Sequence, residues 1–155
     1  MYSRIATRDD LPSVVSLINA AFATENPFLM TTRTQVEEVE ALMQKGHFLL
    51  LEEKGKMAGL IYAEILGEGR GYLGLLSIDP EVRRNGNGRL LVRAGEQFCR
   101  EHGCHVVEGV VINLRPDLVE RYQRDGFRVI GEAPGEDPSH VDRDYHFIKV
   151  EKDLY

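Results

Sequence analysis

The sequence predicts an α/β protein of the α+β type: a mixed sheet of six or seven strands flanked by four helices. Three observations lead there. Apolar, branched-rich segments at 47–52, 57–66 and 72–78 follow one another across short glycine-bearing connections, the pattern of an antiparallel meander. A strand–helix–strand order over 72–78, 89–101 and 106–113 then asks for a parallel pair, because a connection that contains a helix is a crossover and not a hairpin. Three further stretches repeat their apolar residues at helical spacing. At 155 residues the chain reads as a single domain, 1–155, with length enough to bury a core.

Taken in order, residues 2–6 read as a short strand, and Thr7-Arg8-Asp9-Asp10 as a capping-box-like helix start. Leu11, Val14, Val15, Ile18 and Phe22 then share one helical face, with Pro12 in the first turn where proline is tolerated. Asn26-Pro27 breaks the pattern. A second helix is expected from about Thr34, burying Val36, Val39, Leu42 and Met43 and capped by Gly46. Glu53-Lys54-Gly55-Lys56 is a hairpin signal, and Gly67, Gly69 and Gly71 lead into the third meander strand. The helix over 89–101 faces Leu91, Ala94 and Phe98 inward. Arg115-Pro116-Asp117 opens the last helix, with Pro in its first turn and an acid near its positive end. Leu118, Val119 and Tyr122 lie at helical spacing, and Gly126 closes that helix. Residues 127–132 and 145–152 read as the final strands, with a loop over 133–139.

Composition narrows the class. The apolar fraction of 43% and charged fraction of 28% suit a soluble globular protein. A net charge of −6 disfavours nucleic acid or an anionic membrane as a broad partner. No run approaches transmembrane length, and the first ten residues lack the apolar centre of a signal peptide. Two cysteines, Cys99 and Cys104, are too few for a disulfide scaffold. Together these predict a cytoplasmic protein.

The stretch from Tyr72 to Arg89, YLGLLSIDPEVRRNGNGR, organises the rest. Pro80 cannot donate to a sheet ladder, so the strand should end before it. Gly86 and Gly88 let the backbone come close to a ligand, and the following helix points its unpaired N–H groups at the same spot. Strand, glycine turn and helix N-terminus make an anion site, with Arg83, Arg84 and Arg89 adding positive charge. No Lys-Ser or Lys-Thr follows the glycines, so this is not the triphosphate P-loop, and Leu91 takes the place of the third glycine of a dinucleotide fingerprint.

What remains, Arg-x-x-Gly-x-Gly in Ile78-Asp79-Pro80-Glu81-Val82-Arg83-Arg84-Asn85-Gly86-Asn87-Gly88, resembles the acyl-CoA pyrophosphate loop of the GNAT acetyltransferases. Arg84 stands where that family commonly has Gly, and Asn87 where an apolar residue is common. A second stretch, from Arg115 to Phe127, resembles the other GNAT signature: Tyr122 and Gly126-Phe127 are in place, while Arg115 holds the usual Asn position and Asn113 lies two residues early. The two motifs cover about 72–127, and the order of elements extends the likeness along the chain.

The resemblance implies acetyl-CoA as cosubstrate, with no metal. It places Arg83, Arg84, Asn85, Gly86, Asn87, Gly88 and Arg89 at the pyrophosphate, Leu76 and Ile78 along the pantetheine arm as an added strand, and Asn113 or Arg115 beside it. A backbone N–H near Ile78 would polarise the thioester carbonyl. The resemblance makes Tyr122 the general acid for the leaving thiolate, a role that a phenol with a reference pKa near 10 can serve. It brings Phe22, Glu25, Phe28 and Leu29 to the acceptor. Glu64, Asp79, His140 and Glu25 remain open as the base, and so does a water relay with none of them. The implied reaction is acetyl transfer to a primary amine, of a small molecule or a peptide; the alternative is an acyl-CoA-binding or sensing domain without turnover. A homodimer is common in the family. Cys99, His102, Cys104 and His105 crowd together, but they straddle a helix end and a strand start, so their side chains are expected to diverge rather than bind metal.

Overall fold

The computed structural model describes residues 2, 4–29, 33–82, 86–135 and 141–155. Its strands are β1 (Arg4–Ile5), β2 (His47–Glu53), β3 (Lys56–Gly67), β4 (Arg70–Ile78), β5 (Val106–Ile112), β6 (Arg128–Pro134) and β7 (His146–Asp153); its helices are α1 (Leu11–Glu25), α2 (Val36–Lys45), α3 (Asn87–Glu101) and α4 (Pro116–Arg124). The strands form one seven-stranded sheet in the order β1-β2-β3-β4-β5-β7-β6. All neighbours are antiparallel except β4 and β5, which run parallel as their helical connection requires.

Each face of the sheet buries its own core. On one side α1 and α2 lay Leu11, Val14, Ile18 and Val39 against Phe48, Leu50, Leu60 and Tyr62. On the other, Leu91, Val92 and Phe98 of α3 meet Ile61, Leu73, Ile78, Val107 and Val150. Burying a side chain of this kind contributes roughly 1.5–3 kcal/mol relative to leaving it exposed. Glu96 is buried on the inner face of α3, which apolar spacing does not reveal; the Lys152 ammonium compensates it, 3.1 Å from both carboxylate oxygens.

The element starts show what competed with local pattern. The Asp10 carboxylate accepts the Thr7 N–H at 2.7 Å, as the capping signature requires, though the first turn is a 3-10 turn over Arg8–Asp10. The second helix begins at Val36, not Thr34. Thr34 is held as loop by Asn19, whose amide carbonyl accepts the Thr34 N–H at 2.9 Å while its NH2 donates to the Thr34 carbonyl at 3.0 Å. Val36, expected inside, is 44% exposed. Gly46 ends this helix in extended conformation rather than left-handed; a Cβ there would stand 2.6 Å from the Tyr62 hydroxyl.

Candidate active site

The site begins with a parting of strands. β4 and β5 pair only at Arg70–Val106, Gly71–Val107 and Tyr72–Glu108. Beyond that row β4 stays with β3 as far as Ile78, and β5 stays with β7 as far as Ile112. Residues 73–77 and 109–112 therefore face one another across a wedge and do not pair with each other. An ideal Cβ on Gly109 would lie 3.1 Å from the Leu73 carbonyl oxygen, so the apex is tight. The closed end is stapled by charge: Arg70 contacts Glu108 at 2.9 Å and Glu151 at 2.8 Å, and Glu151 also accepts from Arg128. The Arg70 and Arg128 guanidiniums hold the Glu151 carboxyl below its usual range.

Above the wedge, Gly86 caps α3 at φ 74°, ψ 12°, a left-handed conformation that favours glycine. Gly88 lies beside the wedge strand, its ideal Cβ 3.8 Å from Leu76 and 3.9 Å from Ile78. The helix start, Leu76 and Ile78 are thus brought together. Asn87 is buried and donates to Glu53 at 3.4 Å, and Arg89 reaches Asp125 at 3.2 Å, tying α3 to the end of α4. Arg83, Arg84, Asn85, His140 and the Glu25 side chain lie outside the described residues. A groove between α3, the end of α4 and β7 is lined by Arg89, Arg93, Arg124 and Lys152 against Glu96 and Asp125, an excess of positive charge.

Tyr122 is presented by α4, and its spacing to Gly126-Phe127 has a local cause. Gly126 turns to φ 101°, the Phe127 N–H reaches back to the Tyr122 carbonyl at 2.9 Å, and the two rings meet edge to face with centroids 5.5 Å apart. Asn113 and Arg115 are both engaged. The Asn113 side-chain carbonyl accepts the His146 N–H at 2.8 Å, closing the β5–β7 ladder. Arg115 grips Asp117 with two nitrogens, at 3.0 and 2.9 Å, and donates to Asn26 Oδ1 at 2.9 Å.

The α1–α2 connection is strapped down as well. Leu29 bridges Val141, and the Asp142 N–H donates to the Phe28 carbonyl at 3.0 Å, so this loop is joined to the β6–β7 loop. Phe28 is buried, and Phe22 carries the Arg33 guanidinium 5.3 Å from its ring centroid. Of the carboxylates weighed as bases, Asp79 caps its own turn through the Glu81 N–H at 2.9 Å. Glu64 accepts the Tyr62 hydroxyl at 2.6 Å, and burial together with that carboxylate pushes the Tyr62 phenol up, keeping it a donor.

The cysteines correct the sequence expectation. Both side chains converge on Gly71, where an added Cβ would stand 2.7 Å from the Cys99 sulfur and 3.2 Å from that of Cys104. Burial pushes the Cys99 thiol up to about 12, far from thiolate chemistry at neutral pH. His102 instead stacks on Phe98, and among the described residues no three His, Cys, Asp or Glu side chains form a cluster able to hold a metal. Among the same residues no helix is long and apolar enough to cross a membrane.

A model of the acetyltransferase (GNAT) domain matches residues 21–138. The chain belongs to the GNAT acetyltransferase family. Two curated relatives are a mycothiol acetyltransferase of Propionibacterium freudenreichii, 27% identical over 155 residues, and YuaI, an uncharacterized N-acetyltransferase of Bacillus subtilis, 32% identical over 98 residues. The first alignment covers 94% of this GNAT chain but 50% of the relative, and the second 56% and 57%. The chain thus spans about half the length of the curated relatives it matches. The fold is shared with the ribosomal-protein-S18-alanine N-acetyltransferase of Escherichia coli at a TM-score of 0.80 and 16% identity, covering 99% of this chain and 94% of that one.

Proposed function

We propose that this chain transfers the acetyl group of acetyl-CoA to a primary amine by direct attack. The observation that carries the reading is the wedge: two strand edges, 73–77 and 109–112, that part from one another and open beside the glycine-capped start of α3. An extended acyl-pantetheine arm with amide groups along it fits between such edges as an added strand. The Gly86–Arg89 turn supplies N–H groups and positive charge for a pyrophosphate. The described residues therefore fit the cosubstrate, and Leu76, Ile78, Gly86, Asn87, Gly88 and Arg89 would hold it, with Arg83, Arg84 and Asn85 of the same loop.

Acetyl-CoA, when bound, supplies the activated thioester. The chain's own residues do the rest. Backbone N–H groups near Ile78 polarise the carbonyl, and Tyr122 donates the proton that the departing sulfur needs. The α1–α2 and β6–β7 loops, joined at Leu29 and Val141, wall the acceptor side. The engagement of Asp79 and Glu64 in local hydrogen bonds favours loss of the amine proton to water. Asn113 and Arg115 support the wedge by fixing β7 and α4.

Thiol release from acetyl-CoA across a panel of amines, with wild type and Tyr122→Phe, tests the reading. Loss of the acid is expected to lower turnover at least about a hundredfold, with the acetyl-CoA Kd within about twofold because the phenyl ring keeps its contact with Phe127. An unchanged rate removes Tyr122 from the chemistry. Tight binding with no release on any amine would instead support a binding or sensing domain.

A further inference from the structure

Leu75 sits at φ 53°, in the left-handed region, in the middle of a strand. Among the described residues, the other two non-glycine residues with positive φ, Lys54 and Glu68, occupy the β2–β3 and β3–β4 turns directly before Gly55 and Gly69, where that conformation is ordinary. Leu75 has no such excuse, and the sheet shows what its conformation produces. Leu60 pairs with Ser77 and Tyr62 with Gly74, so Leu75 and Leu76 together oppose Ile61 alone: a β-bulge. Side-chain parity records the same slip. Tyr72 and Leu75, three apart, both face the α1 core, while Leu73, Leu76 and Ile78 face the α3 core. The bulge lies on the stretch of β4 that has parted from β5.

One buried side chain holds it. Ser77 is 1% exposed, and its hydroxyl donates to the Leu75 carbonyl at 2.8 Å. A lone buried hydroxyl is otherwise out of place next to Leu60 and needs a partner, which the bulged residue's carbonyl supplies. We infer that Ser77 is a positioning residue: its hydroxyl locks the Leu75 carbonyl, and through it the Leu75–Leu76 peptide, in the orientation that lets β4 receive the acyl-pantetheine arm. This rests on the wedge being the acetyl-CoA site. It adds that the site is held in a strained backbone conformation by one hydrogen bond.

The test is the acetyl-CoA Kd of wild type, Ser77→Ala, Leu75→Gly and the Ser77→Ala/Leu75→Gly double variant, each first checked for folding by circular dichroism. Ser77→Ala removes the hydroxyl that holds the bulged carbonyl and is expected to weaken acetyl-CoA binding about tenfold. Glycine adopts positive φ without steric cost, so on the Leu75→Gly background the Ser77→Ala change is expected to cost less than about threefold, a recovery in the double variant relative to that background. A merely structural serine would lose the same affinity on both backgrounds, with no recovery. Should Ser77→Ala fail to fold, Ser77→Cys, nearly isosteric but a weaker donor, carries the same comparison. Wild-type affinity in Ser77→Ala, or no recovery in the double variant, overturns the inference alone. A wild type that does not bind acetyl-CoA overturns the functional reading, and this inference with it.

Discussion

Arg115 and Asn26, 89 residues apart in the chain, meet through a 2.9 Å hydrogen bond from the guanidinium to the side-chain carbonyl. Arg115 is the N-cap of α4, which carries Tyr122, and Asn26 is the C-cap of α1, where the α1–α2 loop begins. The α1–α2 loop, which we propose walls the acceptor, and the helix that carries Tyr122 are thereby one mechanical unit. Arg115 is able to serve both ends because its planar fork takes Asp117 with two nitrogens while a third reaches Asn26.

Arg115→Ala is therefore expected to raise the amine KM about tenfold while leaving the acetyl-CoA Kd within about threefold, a loss on the scale of one charge-assisted hydrogen bond. Amide exchange at Phe28 and Leu29 is expected to speed up in the same variant. Arg115→Lys restores only part of the effect, since an ammonium cannot keep both partners in this geometry. An acetyl-CoA affinity that collapses while the amine KM holds would return Arg115 to the cofactor.

The charged staple at the closed end of the wedge gives a pH signature. Glu151 is held by Arg70 and Arg128, and its folded pKa is depressed. Its contribution is present above the unfolded carboxyl value of about 4.3 and is lost as pH falls through the lower folded value. Glu151→Gln is expected to cost roughly 1 kcal/mol at pH 7, or about 2–4 °C in Tm. Melts of both proteins from pH 7 down to about 2.5 check the sign: the gap must close on the acid side. A gap that widens on acidification contradicts the staple.

Much of this site is written in short-range pattern, because much of it is short-range chemistry. The Tyr122, Gly126 and Phe127 spacing is legible since one helix turn and one left-handed glycine place the rings together without help from elsewhere. The Pro80 stop and the two glycines at the start of α3, Gly86 as its cap and Gly88 in its first turn, are legible for the same reason. The bulge at Leu75 is not, because alternating Leu73, Leu75 and Ser77 read as a regular strand, and only pairing with β3 shows the slip. The partners of Arg115 and Asn113 are invisible too: Asn26 and the His146 N–H are brought in by other elements. The meeting of Cys99 with Cys104 depends on β4 offering Gly71 between them, which neither cysteine's neighbours encode.

The central claim, that the glycine turn and the β4–β5 wedge hold acetyl-CoA, is tested most directly by thermal melts with acetyl-CoA, CoA and ATP on wild type and on Gly86→Asp. Ligand at about a hundred times its Kd adds roughly 2.7 kcal/mol, a shift of several degrees for a domain this size. The account predicts that shift for wild type with both CoA species and not with ATP. It predicts no shift for Gly86→Asp, where an aspartate brings a side chain to a left-handed position and negative charge to the cradle. A folded wild type that no CoA species stabilises, or a Gly86→Asp variant stabilised as well as wild type, would contradict it.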